Sequence, residues 1–286
     1  AVVPIADRVI LTVPTAEEAL LRTGRVALGK LAPNRNDRQQ VVEIVKQLVE
    51  PASWQPAGQA ALQIDGTALR VTQTAVGYRQ LQTVLEKLRI ARGIPSGQER
   101  KDSKGALTSR TRRAAGDLSR TVSCGSNGQL PLDRYLTRLA YRAGVSIALD
   151  ELSLLRYGVS PETAVTAAAD EKPLKVLLTE ALQQLGLTWR VLDAGLLEVT
   201  TPRAVAQTPD IECYKLSGPV SDQTAQALLR RIQQQISPHS WSTAGGTGVA
   251  VVDRTGRCLL VRQPQPLQRA LEAQLIQWKV LLDSGF

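Results

Sequence analysis

One six-residue pattern occurs twice in this chain. Val49-Glu50-Pro51-Ala52-Ser53-Trp54, followed by Gly58, returns as Ile236-Ser237-Pro238-His239-Ser240-Trp241, followed by Gly245. Downstream, Val71 and Gln73 match Val261 and Gln263, and Leu81, Leu85 and Leu88 match Leu271, Leu275 and Trp278. Ordered matches of this kind mark a duplicated supersecondary unit. Apolar stripes at helical spacing precede each pattern: Val41, Val45, Leu48 and Val49 in the first copy, Ala225, Leu228, Leu229, Ile232 and Ile236 in the second. Asn36 with Gln39 is expected to cap the first helix and Ser221 the second. Pro51 and Pro238 then stop the helices. Alternating strands follow around Asp65-Gly66 in one copy and Asp253 to Gly256 in the other, and a closing helix completes each unit. A strand is expected before each first helix, Ile211–Leu216 in the second copy and either Val9–Val13 or Val26–Leu31 in the first. An aromatic beside a helix-ending proline is more often a core plug than a ligand platform, so Trp54 and Trp241 are assigned to cores.

Between the copies lie two further segments. Residues 95–128 lose periodicity and carry a formal charge of +4, which reads as a flexible basic linker. Arg110, Arg112 and Arg113 within it are the candidate partner-binding residues, against the alternative of a solvated tether. Periodicity returns at 129–201 in the order β-α-β-β-α-β-β. The expected organisation is therefore α+β in small modules: 1–94 a first repeat with an N-terminal extension, 95–128 the linker, 129–201 a middle domain, and 202–286 a second repeat.

Leu130-Pro131-Leu132-Asp133 opens the first middle-domain helix and Ala143-Gly144-Val145-x-Ile147 closes it. Pro173-Leu174, Leu178, Leu182 and Leu185-Gly186-Leu187 mark the second. This pattern resembles the secretin and TonB short N-terminal domain over about a quarter of the chain. The resemblance implies a periplasmic module that works by protein contact, and it supplies no catalytic residue. The flanking repeats also resemble, in topology, the small ring-building modules of secretin arms. The chain departs from secretins in lacking a series of alternating strands for a membrane barrel.

Chemistry is poorly provided for. Cys124, Cys213 and Cys258 are far apart and His239 is the single histidine, so neither metal nor cofactor is expected. Cys213 and Cys258 fall on strands of one module, so a disulfide between them is a possible pairing and two buried thiols the alternative. Asp150-Glu151 and Asp170-Glu171 are the available carboxylate pairs, read as solvated strand-end residues. Gly245-Gly246-Thr247-Gly248 leads into a strand, whereas a phosphate-cradling loop opens a helix; Gly125-Ser126-Asn127-Gly128 ends a linker, whereas an RNA-binding GxxG joins two helices.

No apolar run reaches the length of a membrane span. The start at Ala1 and the absence of methionine suggest a processed product or fragment whose targeting segment is gone. The expectation is a non-catalytic protein-protein interaction or assembly protein of a bacterial cell envelope, in the periplasm and self-associating. The alternative is a nucleic-acid binder, motivated by the net charge of +9 and the basic linker.

Overall fold

The computed structural model describes residues 2–5, 8–11, 20–54, 59–94, 107–123, 125, 128–167 and 171–281. The fold is α+β, in two compact units: Ala1–Val13 with Ser109–Thr208, and Pro14–Thr108 with Pro209–Phe286. The two repeat copies thus belong to one unit rather than to two flanking modules, and the middle domain is inserted between them.

In the inserted unit, β1 (Val2–Ile5) and β2 (Arg8–Leu11) form an antiparallel pair. The first repeat copy follows in the other unit as β3 (Arg22–Ala27), α1 (Arg35–Leu48), a 3-10 turn at Pro51–Trp54, β4 (Ala61–Asp65), β5 (Ala68–Gln73) and α2 (Ala75–Ala91). Its strand is Arg22–Ala27, which meets the expected Val26–Leu31 only at Val26 and Ala27, because Gly29–Leu31 turns as a 3-10 helix; the expected Val9–Val13 lies largely on β2 of the other unit. Its sheet is antiparallel in the order β3-β5-β4. The cap of α1 is Asn34, whose side chain accepts from the Asp37 N–H at 2.8 Å, two residues ahead of the expected Asn36.

Part of the expected linker is folded. Residues 110–119 form α3 (Arg110–Arg113) and α4 (Ala115–Ser119), followed by β6 (Thr121–Val122). Both helices are too short to display an apolar period, but Ala114 and Leu118 are buried in the core of the inserted unit. Then come β7 (Gly128–Pro131), α5 (Leu132–Ala143), β8 (Ser146–Leu149), α6 (Glu151–Tyr157), β9 (Ala164–Ala167), β10 (Lys172–Pro173), α7 (Leu174–Gln183), β11 (Thr188–Asp193), β12 (Leu196–Thr200) and α8 (Pro202–Gln207).

This unit is itself a diverged duplication. The segment α3-α4-β6-β7-α5-β8 corresponds to α6-β9-β10-α7-β11, because Pro131 and Pro173 start equivalent helices with φ, ψ of −55°, 139° and −55°, 138°. Leu132 and Leu174 follow, both fully buried. Thr137 and Thr179 each donate to the carbonyl four residues earlier at 2.7 Å. Gly144 and Gly186 end the helices at φ +67° and +66°, a conformation that glycine adopts at least cost. The halves exchange strands: β7 of the first pairs with β9 of the second, and β10 of the second with β6 of the first. A tether at 110–119 would leave the first half incomplete, which is why this basic segment folds. A three-stranded sheet, β11-β12-β8 with β12 and β8 parallel, closes the unit.

The second repeat copy comprises β13 (Asp210–Lys215), α9 (Asp222–Gln235), 3-10 turns at Pro238–Ser240 and Ser242–Ala244, β14 (Val249–Asp253), β15 (Cys258–Gln263) and α10 (Gln265–Gln277). Ser221 caps α9 in a reciprocal box with Thr224. The sheet order β13-β15-β14 repeats that of the first copy.

The copies stack head to tail. Tyr214, Leu216, Leu259, Val261 and Ala250 pack beneath the copy's own helices with Ile232, Leu271 and Leu275. The opposite face of the same sheet carries Ile211, Cys213, Cys258 and Leu260, which share one core with α1, α2 and the inner face of the first sheet through Leu62, Leu69 and Val71. Helix α1 accordingly touches both β4 and β14. The layers alternate as sheet, helices, sheet, helices.

Candidate interaction surfaces

The repeated pattern builds the same latch in each copy. At the end of α1 the indole N–H of Trp54 donates to the Val49 carbonyl; at the end of α9 that of Trp241 donates to Ile236 at 2.7 Å. Both carbonyls belong to the residue capping the helix, where the backbone has run out of intrahelical donors. Gln73 donates to Ser53 Oγ at 2.8 Å, and Gln263 to Ser240 Oγ at 3.0 Å, tying the turn to the second hairpin strand. Glu50 and Ser237, just before Pro51 and Pro238, lie at φ +39° and +45°, so the sharp reversal is also common to both. Trp241 is 1% exposed and Trp54 half-buried. These residues are structural, and their indole N–H groups are already engaged.

The glycine-rich run after Trp241 serves the same latch. A Cβ on Gly248 would lie 1.9 Å from Gln263 Nε2, and one on Gly246 would lie 2.2 Å from the Ser240 carbonyl oxygen. The N–H groups of Gly246 and Gly248 donate to Trp241 and Ser240. A phosphate would find these donors occupied.

An ionic junction fastens the copies together. Arg92 donates from Nη2 and Nε to the two carboxylate oxygens of Asp253, at 2.7 and 2.9 Å, with the two side chains 3% and 0% exposed. Arg92 also donates to the Leu31 carbonyl at 2.7 Å, and Asp253 accepts from the Gly256 N–H at 3.0 Å. Lys87 pairs with Glu212 at 3.1 Å, and Lys215 donates to the carbonyls of Ala91 and Gly256. A desolvated, bidentate and fully hydrogen-bonded pair fixes one register for the stack.

Cys213 and Cys258 are free, buried thiols in this shared core. Cys213 stands opposite Leu260 and Cys258 opposite Lys215, so the two occupy a diagonal rather than a facing pair. A hydrogen bond between them, then burial, pushes the Cys258 thiol well above its ordinary value. Cys124 lies outside the described residues.

The outer faces of the stack are polar where its inner face is apolar. The row Cys213-Leu260-Val251 across the second sheet corresponds to Arg25-Arg70-Gln63 across the first. At the other end, the positions of Ile44, Leu48 and Val84 are taken by Arg231, Gln235 and Gln274. Arg231 stacks on the Trp278 ring at 3.9 Å, covering it. Polar outer faces terminate repeat stacks, and this one ends at two copies.

Of the three candidate arginines, Arg113 pairs with Asp193 at 2.9 Å, and all three lie on α3 rather than on a tether. Asp150 caps α6 and accepts from the Ser153 N–H at 3.2 Å and the Thr200 hydroxyl at 2.7 Å. Burial raises its carboxyl, but these hydrogen bonds outweigh it and hold the group below the usual carboxylate value. Glu151 is an exposed first-turn residue, and Asp170 lies outside the described residues. His239 is exposed on the turn before Trp241. Among the described residues no His, Cys, Asp and Glu cluster suits a metal, and no helix is long and apolar enough to cross a membrane. Sequence reading missed the ionic junction, whose only signal was an arginine and an aspartate far apart in the chain.

Compared with models of known protein families the chain has no match, and no curated protein matches it.

Proposed function

We propose that this chain is a non-catalytic interaction and assembly protein of a bacterial cell envelope, with the inserted unit as its contact module. What carries this reading is the resemblance, in sequence, of its proline, leucine and glycine pattern to that of the secretin and TonB short N-terminal domain. The positions that make up the pattern, Pro131, Leu132, Gly144, Pro173, Leu174 and Gly186, are those on which the two halves of the inserted unit are built. Supporting it, the side chains first considered for chemistry have other employment: Asp150 caps a helix, and the glycine-rich run closes a latch.

Self-association, on this reading, uses surfaces other than the stacking faces, which end in Arg25, Arg70 and Arg231. Sedimentation velocity and cross-linking of the full chain over rising concentration test the proposal. Discrete oligomers support it; a monomer at all concentrations together with tight, salt-sensitive binding of nucleic acid would replace it with the nucleic-acid reading.

A further inference from the structure

The duplication within the inserted unit provides an internal control for its surface. Helices α5 and α7 occupy the same slot twice, so a residue needed for the fold is expected in both. Leu132, Leu136 and Thr137 of α5 meet this expectation, recurring as Leu174, Leu178 and Thr179. The exposed face does not. Arg134, Arg138 and Arg142 lie four residues apart along α5, all exposed, whereas α7 has Val176, Glu180 and Gln184 at those positions. Glu180 is paired with Lys172, but none of the three arginines is in an ion pair among the described residues. Tyr141 stands beside the ladder with 87% of its surface exposed. The ladder is also local, since residues 129–201 carry a formal charge of −2 in total.

We propose that the α5 face is a docking surface for an acidic helical segment of a partner protein, read by Arg134, Arg138 and Arg142 with Tyr141 alongside. Residues at this spacing repeat about every 6 Å along the axis, so carboxylates spaced i, i+4, i+8 on a facing helix meet all three guanidinium groups. Guanidinium accepts a carboxylate in a two-pronged contact, and an exposed tyrosine adds apolar area at the centre of such a patch. An extended polyanion or an anionic membrane is disfavoured because either must also face the rest of residues 129–201, which outside the ladder hold nine acidic and four basic side chains. The inference rests on the reading of the inserted unit as a protein-contact module and names the chemistry of its partner.

The test is fluorescence anisotropy on the full chain with labelled, end-blocked alanine-based helical peptides, at about 20 mM salt, where charges interact over about 20 Å. One peptide has glutamates at i, i+4, i+8; the other has the same composition with glutamates spread round the helix. The spaced peptide is expected to bind about fivefold tighter or better, summed over three exposed pairs. Arg138→Glu and the milder Arg138→Gln should remove that preference, while Lys175→Glu on α7, the same charge change in the other half, should leave it intact. Circular dichroism shows that each variant is folded. Equal affinity for the two peptides overturns the proposal. So does an Arg138-dependent preference for short duplex DNA or phosphatidylglycerol vesicles over the spaced peptide. If the ladder fails while the chain still forms discrete oligomers, only the α5 surface is lost and the assembly reading stands.

Discussion

Removing the Asp253 carboxylate should unfasten the two repeat copies. In Asp253→Ala the Arg92 guanidinium keeps its Leu31 contact but loses two charge-assisted hydrogen bonds at a site where its side chain is 3% exposed. Breaking a buried pair from one side costs about 3–5 kcal/mol, because the remaining charge stays desolvated and unpaired. For a unit of this size, each kcal/mol lowers the melting temperature by about 2–4 °C, so the expected fall is about 6–20 °C. Replacing both partners by apolar groups, Arg92→Met with Asp253→Leu, removes the unpaired charge, and its cost should be well below the sum of the single changes. Calorimetry on wild type, both singles and the double measures the coupling. A loss below about 1 kcal/mol in Asp253→Ala, or strict additivity in the double, would refute the claim that this pair joins the copies in a desolvated junction.

Three further outcomes are expected. Trp241→Ala should cost about 3–5 kcal/mol and Trp54→Ala distinctly less, because only the first indole is fully buried; equal costs in chemical denaturation would contradict the assigned burial. Asp150→Ala should cost about 1 kcal/mol through its lost cap. Since the folded Asp150 carboxyl lies below its ordinary value, its contribution is present at neutral pH and fades as pH falls through and below the usual carboxylate range. Asp150→Asn, which preserves the cap, should flatten that acid limb of the stability profile, and an unchanged limb would remove Asp150 as its source. In the unfolded, unreduced protein Cys213 and Cys258 should both react with a thiol reagent, and a Cys213–Cys258 linked peptide would contradict the free pair.

Much of the architecture was legible in the sequence, because local rules set it. The duplicated helix, Pro-x-Ser-Trp turn and hairpin are there, as are α5 and α7 between proline and glycine. What the sequence concealed was how the pieces combine. In α1 the buried set runs over Val41, Val42, Ile44, Val45 and Leu48, broad for a helix covering one sheet, while α9 buries only Ala225 and Ile232. That difference was the signal that the first copy's helices lie between two sheets, but it has meaning only when the copies are compared position by position. The arginine-rich stretch misled for a related reason: α3 and α4 span too few residues to show a period, and their place in the fold follows from matching α6 in the other half. The Arg92–Asp253 pair had no local signature at all.

The central claim is that residues remote in sequence form a single cooperative stack, with the second unit inserted between them in the chain. Hydrogen exchange by mass spectrometry on Trp241→Ala tests it most directly, because this change lies wholly within the second copy. Exchange is predicted to accelerate together in α9, α10, α1 and α2, while α5 and α7 retain wild-type protection. Acceleration confined to α9 and α10, with α1 and α2 unchanged, would show that the copies are independent and contradict the account.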